Sequence, residues 1–379
     1  MIITKIHLEN WKNFGEVTVA CGKRVFLIGP NASGKSNFLD ALRFLRDVAQ
    51  DGLAKAVSGR GGLRTIRFLG ARRPSDVTVA VTLDDRWDYS LSFTANNKSE
   101  PVVSREYVAL EENGVRKSLL ERPDAEDKQD TVRLTQTALE QVNTNKAFRA
   151  ISDFFASIQY RHILPQLVRD PKSFSPSPSK NDPYGRDIVS QIWNTPVNIR
   201  DARLKKINGA LAIAVPQFNN LSVELNQSTG VPHLKVNYKH WRANGAYQDE
   251  SAFSDGTLRL LTLLWSLFDT DSSLLLEEPE LSLHEEIIRR LPEIFAKLDK
   301  SRKKATRQIF ITTHAEAMLS DPGIGGNEVL RCEPGAEGSV IDAADQEECG
   351  LMKDGLTAAE VLLPKTRPFN IEQLPLLPL

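Results

Sequence analysis

The stretch Gly29-Pro-Asn-Ala-Ser-Gly-Lys-Ser36 constrains this chain more than any other, because its glycines, lysine and serine stand at the spacing of a phosphate-binding loop. The apolar run Arg24-Val-Phe-Leu-Ile28 before it suits a buried strand, and Asn37-Phe-Leu-Asp-Ala-Leu-Arg-Phe-Leu45 after it has helical spacing. Strand, glycine loop and helix is the context this spacing requires. In such a P-loop, Asn31, Ala32, Ser33, Gly34, Lys35, Ser36 and Asn37 surround a nucleotide's phosphates, with backbone N–H groups aimed at the β-phosphate and the helix N-terminus favouring its charge. Lys35 bridges the β- and γ-phosphates of ATP, and the Ser36 hydroxyl binds Mg²⁺.

A chain of 379 residues, 41% of them hydrophobic, can bury one large core or two smaller ones. Lysine plus arginine (48) nearly balances aspartate plus glutamate (49), which excludes a strongly basic nucleic-acid binder and an acidic disordered chain. Any DNA contact therefore falls to a local patch: Arg72-Arg73, Lys205-Lys206, or Arg302-Lys303-Lys304 with Arg307. Cys21, Cys332 and Cys349 have neither disulfide-framework nor zinc-site spacing, which fits a reducing cytoplasm. Neither a secretory leader nor a membrane-spanning run is read from the sequence, so no membrane partner is expected.

Ile2 to Leu8 and Val17 to Ala20 read as a strand pair, joined by a turn, that feeds the phosphate loop. Asp76 to Leu83 and Asp88 to Phe93 alternate as antiparallel neighbours do, predicting a β-subdomain. From Ser99 the pattern changes: a strand-like Val102 to Leu110, a helical Thr135 to Phe155, a Pro/Ser-rich loop from Pro171 to Pro178, then helices at Ile188 to Trp193 and Asp201 to Ala212. No sustained heptad seam appears, which argues against a coiled-coil arm. The expected domains are an N-terminal lobe over 1–98, a mainly helical lid or insertion over 99–215, and a C-terminal lobe over 216–379.

Three further motifs lie in the last lobe. Ser254-Asp-Gly-Thr257 opens a strongly apolar helix; taken alone it reads as a helix N-cap, and by position it also suits an anion site holding Ser254 and Gly256. Ser272-Ser-Leu-Leu-Leu-Glu-Glu-Pro-Glu280 is an apolar strand ending in adjacent carboxylates, the form of a Walker B element. Glu277 then faces Mg²⁺ and Glu278 orients or deprotonates the attacking water. Arg307-Gln-Ile-Phe-Ile-Thr-Thr-His314 is a second apolar strand, and its terminal His314 is placed to sense the γ-phosphate. The acidic stretch Asp342 to Glu348 reads as a solvated turn.

Together with Ile6-His-Leu-Glu-Asn-Trp-Lys-Asn-Phe14, these motifs resemble the ABC-type ATPase head of SMC, RecF-like and OLD-like proteins, over roughly residues 1–95 and 215–335. The resemblance implies an α/β P-loop NTPase with a mixed central sheet, an antiparallel β-subdomain and a helical lid. It implies ATP and Mg²⁺ as cofactors, and a homodimer in which each P-loop faces the partner's Ser254 and Gly256. Ser282-Leu-His284 stands at the D-loop. Two departures are Glu277 where many relatives have aspartate, and Asp255 in the signature; the Q-loop glutamine is either Gln159 or Gln166. The resemblance implies action on DNA in repair or anti-phage defence. The alternative is a regulatory ATPase subunit controlling an effector protein, a nuclease or toxin, through a docking segment such as the Pro-rich tail Leu374 to Leu379. The same motifs occur in transporter subunits, but the N-terminal strands, the signature and the long insertion speak against that class.

Overall fold

The run Arg24–Ile28, apolar almost throughout, becomes a strand with both faces covered, as a continuous apolar run demands in a parallel sheet. The computed structural model describes residues 1–72, 75–171, 182–239, 246–269, 272–300 and 307–367. Arg73, the Pro/Ser-rich loop beyond Pro171, Arg302-Lys303-Lys304 and the Pro-rich tail lie outside the described residues.

In chain order the strands among the described residues are β1 (Ile3–Trp11), β2 (Phe14–Ala20), β3 (Arg24–Ile28), β4 (Val77–Leu83), β5 (Trp87–Ala95), β6 (Pro101–Glu112), β7 (Val115–Arg122), β8 (Gln159–Arg161), β9 (Phe218–Leu225), β10 (Pro232–Tyr238), β11 (Ala246–Asp249), β12 (Leu274–Glu277), β13 (Ile309–Thr312), β14 (Val329–Glu333) and β15 (Val340–Ala343). The chain divides into two compact units. The first comprises Met1–Gln159, Ser272–Leu275 and Thr306–Leu379; the second comprises Tyr160–Asp271 and Leu276–Ala305.

The first unit is built on two sheets. One is antiparallel, ordered β2-β1-β4-β5-β6-β7, and β4 within it alternates buried and part-exposed side chains as a strand of a half-covered sheet does. The other is ordered β15-β14-β3-β13-β12-β8; β13 and β14 flank β3 in parallel and β15 pairs antiparallel with β14, so the sheet is mixed. Leu274 N–H donates to Gln308 O at 2.9 Å and Gln159 N–H to Ser273 O at 3.0 Å, bringing the starts of β12 and β8 onto this sheet.

The P-loop helix, Lys35–Asp51, buries Phe38, Leu39, Leu42, Phe44, Leu45 and Val48. Phe44 meets Trp11 and Phe93 from the antiparallel sheet (ring centroids 5.2 and 5.0 Å), while Phe38 faces Phe310 of β13 at 6.5 Å. One helix thus packs against both sheets, and the loop at its N-terminus is fixed by all three. Gln308 joins the sheets a second time: its amide accepts from Ile3 N–H (2.8 Å) and donates to Ile3 O (2.6 Å) and Gly22 O (2.8 Å).

Helical spacing over Thr135 to Phe155 is realised as an α-helix only at Arg149–Ser157. Glu106, buried in β6, explains the difference. Its carboxylate accepts from Ala138 N–H (2.6 Å) and Leu139 N–H (3.0 Å), taking two donors a helix there would need. Asp342 to Glu348 also departs from a solvated turn. Asp345 caps the helix Gln346–Lys353, and Glu348, 2% exposed, pairs with Arg331 and with Lys365 (2.6 Å).

The second unit holds the three-stranded sheet β11-β10-β9, the helices Ile188–Asn194 and Val197–Ala214, and the helix Asp255–Asp269. This last helix buries Leu258, Leu260, Leu261, Leu263, Leu264, Trp265 and Leu267, an apolar surface on nearly every side that only a helix enclosed by its unit can carry. Among the described residues no helix is long and apolar enough to cross a membrane.

Candidate functional site

In the first unit the loop Gly29 to Ser36 wraps the N-terminus of the P-loop helix. Gly34 caps that helix in the left-handed region (φ 109°), which a residue without Cβ adopts freely. Ala32 is also left-handed (φ 61°). The Lys35 side chain is buried at 7% exposure, its ammonium donating to Gly29 O and Pro30 O at 2.9 Å each. The Ser33 hydroxyl is fully buried and has no hydrogen-bond partner, while Asn31 and Ser36 are exposed.

The turn between β1 and β2 braces this loop. Asn13 Nδ2 donates to Ser33 O (3.1 Å) and Ser339 Oγ (2.7 Å), Asn37 Nδ2 donates to Asn13 Oδ1 (2.7 Å), and Trp11 Nε1–H donates to Asn37 O (2.8 Å). Lys12 reaches Asp40 at 2.6 Å, where Arg60 also binds at 3.0 Å. Burial pushes the Asp40 carboxyl up, but Arg60 and Lys12 outweigh it and hold the group below its ordinary range. The spacing of the P-loop gives no sign of Asn13; only the strand pairing that carries it there does.

His314 is exposed just past β13, whose register sets Thr312 opposite Leu27 of β3; Thr313 N–H donates to Leu27 O at 3.1 Å. His314 and the P-loop therefore leave the C-terminal ends of neighbouring parallel strands, where open α/β sheets bind ligands. Burial pushes the Cys332 thiol, behind the loop, up to about 12 and Cys21 likewise, so neither serves as a thiolate.

The second unit holds the other predicted residues. Ser254 caps the signature helix: its Oγ accepts from Thr257 N–H at 3.2 Å and meets Thr257 Oγ1 at 2.9 Å. Gly256 lies against the D-loop, where an added Cβ would stand 2.6 Å from Ser282 O. Asp255 is held from the short helix Pro165–Arg169: Arg169 Nη2 donates to it at 2.6 Å and to Phe253 O at 2.8 Å, and Gln166 Nε2 donates at 3.1 Å. Of the two Q-loop candidates, Gln166 is thus tied to the signature turn, whereas Gln159 lies on β8 in the first unit.

Glu277 ends β12 and accepts a hydrogen bond from the Tyr160 hydroxyl, a partner that sequence spacing does not reveal. Glu278, at φ 43°, turns the chain out of the strand, and its carbonyl lies 3.5 Å from Arg259 Nη1. Arg259 is 4% exposed; burial lowers its pKa, opposed by Glu280, Asp255 and Glu278. Arg307, counted with the basic cluster, is only 3% exposed and offers no surface charge.

The donor set suits Mg²⁺ carried by a nucleotide. Among the described residues no three His, Cys, Asp or Glu side chains gather to hold a metal. Mg²⁺ needs no such cage, since it takes one or two protein oxygens, of the kinds that Ser36 offers in the first unit and Glu277 in the second, and draws others from phosphate and water.

A family model described as "AAA domain, putative AbiEii toxin, Type IV TA system" matches residues 24–320. The chain belongs to this AAA-domain family. No curated protein matches it. Among solved structures, the crystal structure of an SMC head bound to the C-winged helix domain of ScpA is 16% identical to this AAA domain. The match covers 93% of this chain and 100% of the other, with a TM-score of 0.54. An SMC head with an extended coiled coil, bound to the C-terminal domain of ScpA derived from Pyrococcus furiosus, is 12% identical; coverage is 93% and 98%, and the TM-score is 0.50. At these identities the likeness is one of fold. The fold is an SMC-like ABC-type ATPase head, and the function is of the ATPase type.

Proposed function

We propose that this AAA domain binds ATP with Mg²⁺, hydrolyses it to ADP and phosphate, and joins two copies of itself around the bound nucleotide. The observation that carries the reading is Lys35: an ammonium buried against two loop carbonyls at the N-terminus of a 17-residue helix is a seat for phosphate. Loop amides from Asn31 to Asn37 cradle the β-phosphate, and Lys35 offsets charge on the γ-phosphate as the bond to it breaks. Ser36 and Glu277 hold Mg²⁺, which neutralises the phosphates when bound. Glu278 takes the proton of the attacking water, and His314 hydrogen-bonds the γ-phosphate. Ser254 and Gly256 of a second copy close the site by presenting the N-terminus of their helix.

The ATP-joined dimer acts on DNA, in repair or in defence against invading DNA. Lys205 and Lys206, both exposed on the helix Val197–Ala214, support this role, as does the resemblance to RecF-like and SMC heads. A second reading is favoured by the family description, which joins an AAA domain to a toxin of a toxin–antitoxin system: the ATPase then controls a toxin or nuclease effector without touching DNA.

Steady-state ATP hydrolysis, with and without double-stranded DNA at low and moderate salt, tests both. Lys35→Ala serves as the blank and is expected to lose at least about a hundredfold in rate, by removal of a charge that stabilises the transition state. Stimulation by DNA that fades with salt supports the clamp. A slow rate indifferent to DNA supports the effector reading, and a wild-type rate no higher than the blank overturns the ATPase assignment.

A further inference from the structure

Glu277 reaches its carboxylate through three torsions, so its place at the end of β12 does not by itself fix where the oxygens lie. A carboxylate that must meet a cation at a set distance needs a second support, since outer partners orient metal-binding groups and tune their affinity. The structure supplies one in Tyr160. This residue follows Gln159, whose N–H fixes β8 beside the start of β12, and its side chain is buried at 6% exposure. Its hydroxyl donates to Glu277 Oε2. A phenol has only two torsions and a rigid ring, so an enclosed tyrosine loses little further freedom in holding its partner. The bond is charge-assisted, so it holds the carboxylate more firmly than a neutral pair would.

We infer that Tyr160 is a positioning residue that tethers Glu277 for the divalent cation of the bound nucleotide. The inference rests on the ATPase reading above. A buried tyrosine also hydrogen-bonds simply to satisfy its hydroxyl, and the test separates that role from positioning.

The probe is Mn²⁺, titrated by electron paramagnetic resonance into the full chain with ATPγS. Tyr160→Phe keeps the ring, and its fold is checked by thermal melting. It is expected to bind Mn²⁺ about tenfold more weakly, the lower end of what loss of an outer partner costs. Affinity for ATPγS without metal should stay within about twofold. The decisive readout is coupling. In a Glu277→Asp background the carboxylate is one methylene shorter and lies out of the phenol's reach, so removing the hydroxyl should change Mn²⁺ affinity by less than about twofold. A Tyr160→Phe protein with wild-type Mn²⁺ affinity, or an equal loss in both backgrounds, overturns the tether while leaving the ATPase reading intact. A wild-type protein that binds no Mn²⁺ with ATPγS overturns both.

Discussion

At Gly34 one missing methyl group decides whether the phosphate loop can close. An added Cβ would stand 2.2 Å from Asn13 Nδ2 and 2.8 Å from Phe14 Cζ, at a backbone φ of 109° that side-chain-bearing residues rarely adopt. Gly34→Ala must therefore displace the brace that Asn13 provides to Ser33 O and Asn37, in addition to holding an unfavourable dihedral. We expect a loss of about 1–3 kcal/mol in urea unfolding and weaker binding of a fluorescent ATP analogue; unchanged values of both would show that the loop has another way to close. The residues of this loop were legible in sequence because a covalent spacing sets them: Lys35 and Ser36 directly follow the glycine that caps their helix. Asn13 and Tyr160 were not, because the first reaches the loop only through the pairing of β1 with β2, and the second reaches Glu277 only because β8 lies beside β12. Arg169 leaves no local trace in the sequence for a related reason: its partner Asp255 lies 86 positions along the chain.

At the scale of elements, the hairpin β6–β7 is locked to the segment that follows by a buried ionic cluster. Arg122 donates to Asp127 at 2.8 and 2.9 Å, lies 3.4 Å from Glu106, and donates to the carbonyls of Arg133 and Gln136 at 2.9 Å each. Hydrogen bonds from Arg122, opposed by burial and aided by Asp124 N–H and Arg133, hold the Asp127 carboxyl at about 2. For a carboxyl depressed in the folded state, the stabilisation is fully present above the unfolded value, 3.8 here, and is lost as pH falls toward 2. Burial pushes Glu106 the other way, against hydrogen bonds from Ala138, Leu139 and Tyr89 and the charge of Arg122, so it titrates above this window. Asp127→Asn should therefore flatten the fall in unfolding free energy between pH 4 and pH 2, removing on the order of 2 kcal/mol of its pH dependence. Urea unfolding at a series of acid pH values reads this slope, and an unaltered slope would mean that Asp127 is not the group responsible. This cluster also marks where periodicity misleads. Apolar spacing across Thr135 to Phe155 is helical, yet a side chain from β6 takes the backbone donors, and no local pattern records that.

At the scale of the whole molecule, each chain carries one phosphate loop and one signature turn, in separate compact units. Ser254 and Gly256 are shaped from within their own unit, the first by capping its helix and the second by close approach of the Ser282 carbonyl. Neither needs a nucleotide to be built, so the signature turn is a preformed surface. If a second copy's ATP is what that surface receives, ATP binds the dimer more tightly than the monomer and must, by linkage, promote dimerisation. With a formal charge of −1, two copies meet little long-range repulsion, and the nucleotide is left to set the equilibrium. Glu278→Gln isolates this step. Glutamine is nearly isosteric with glutamate, so the turn at φ 43° costs the two residues alike, yet an amide cannot accept the water's proton. We expect hydrolysis to slow by about 10²–10⁴-fold, and the variant with ATP and Mg²⁺ to run as a dimer in size exclusion with light scattering. The same protein without nucleotide should be monomeric, as should Lys35→Ala with it. A dimer present equally with and without ATP would show that the chains associate through some other surface. A Glu278→Gln protein that turns over ATP at the wild-type rate would transfer the task of activating water to another residue.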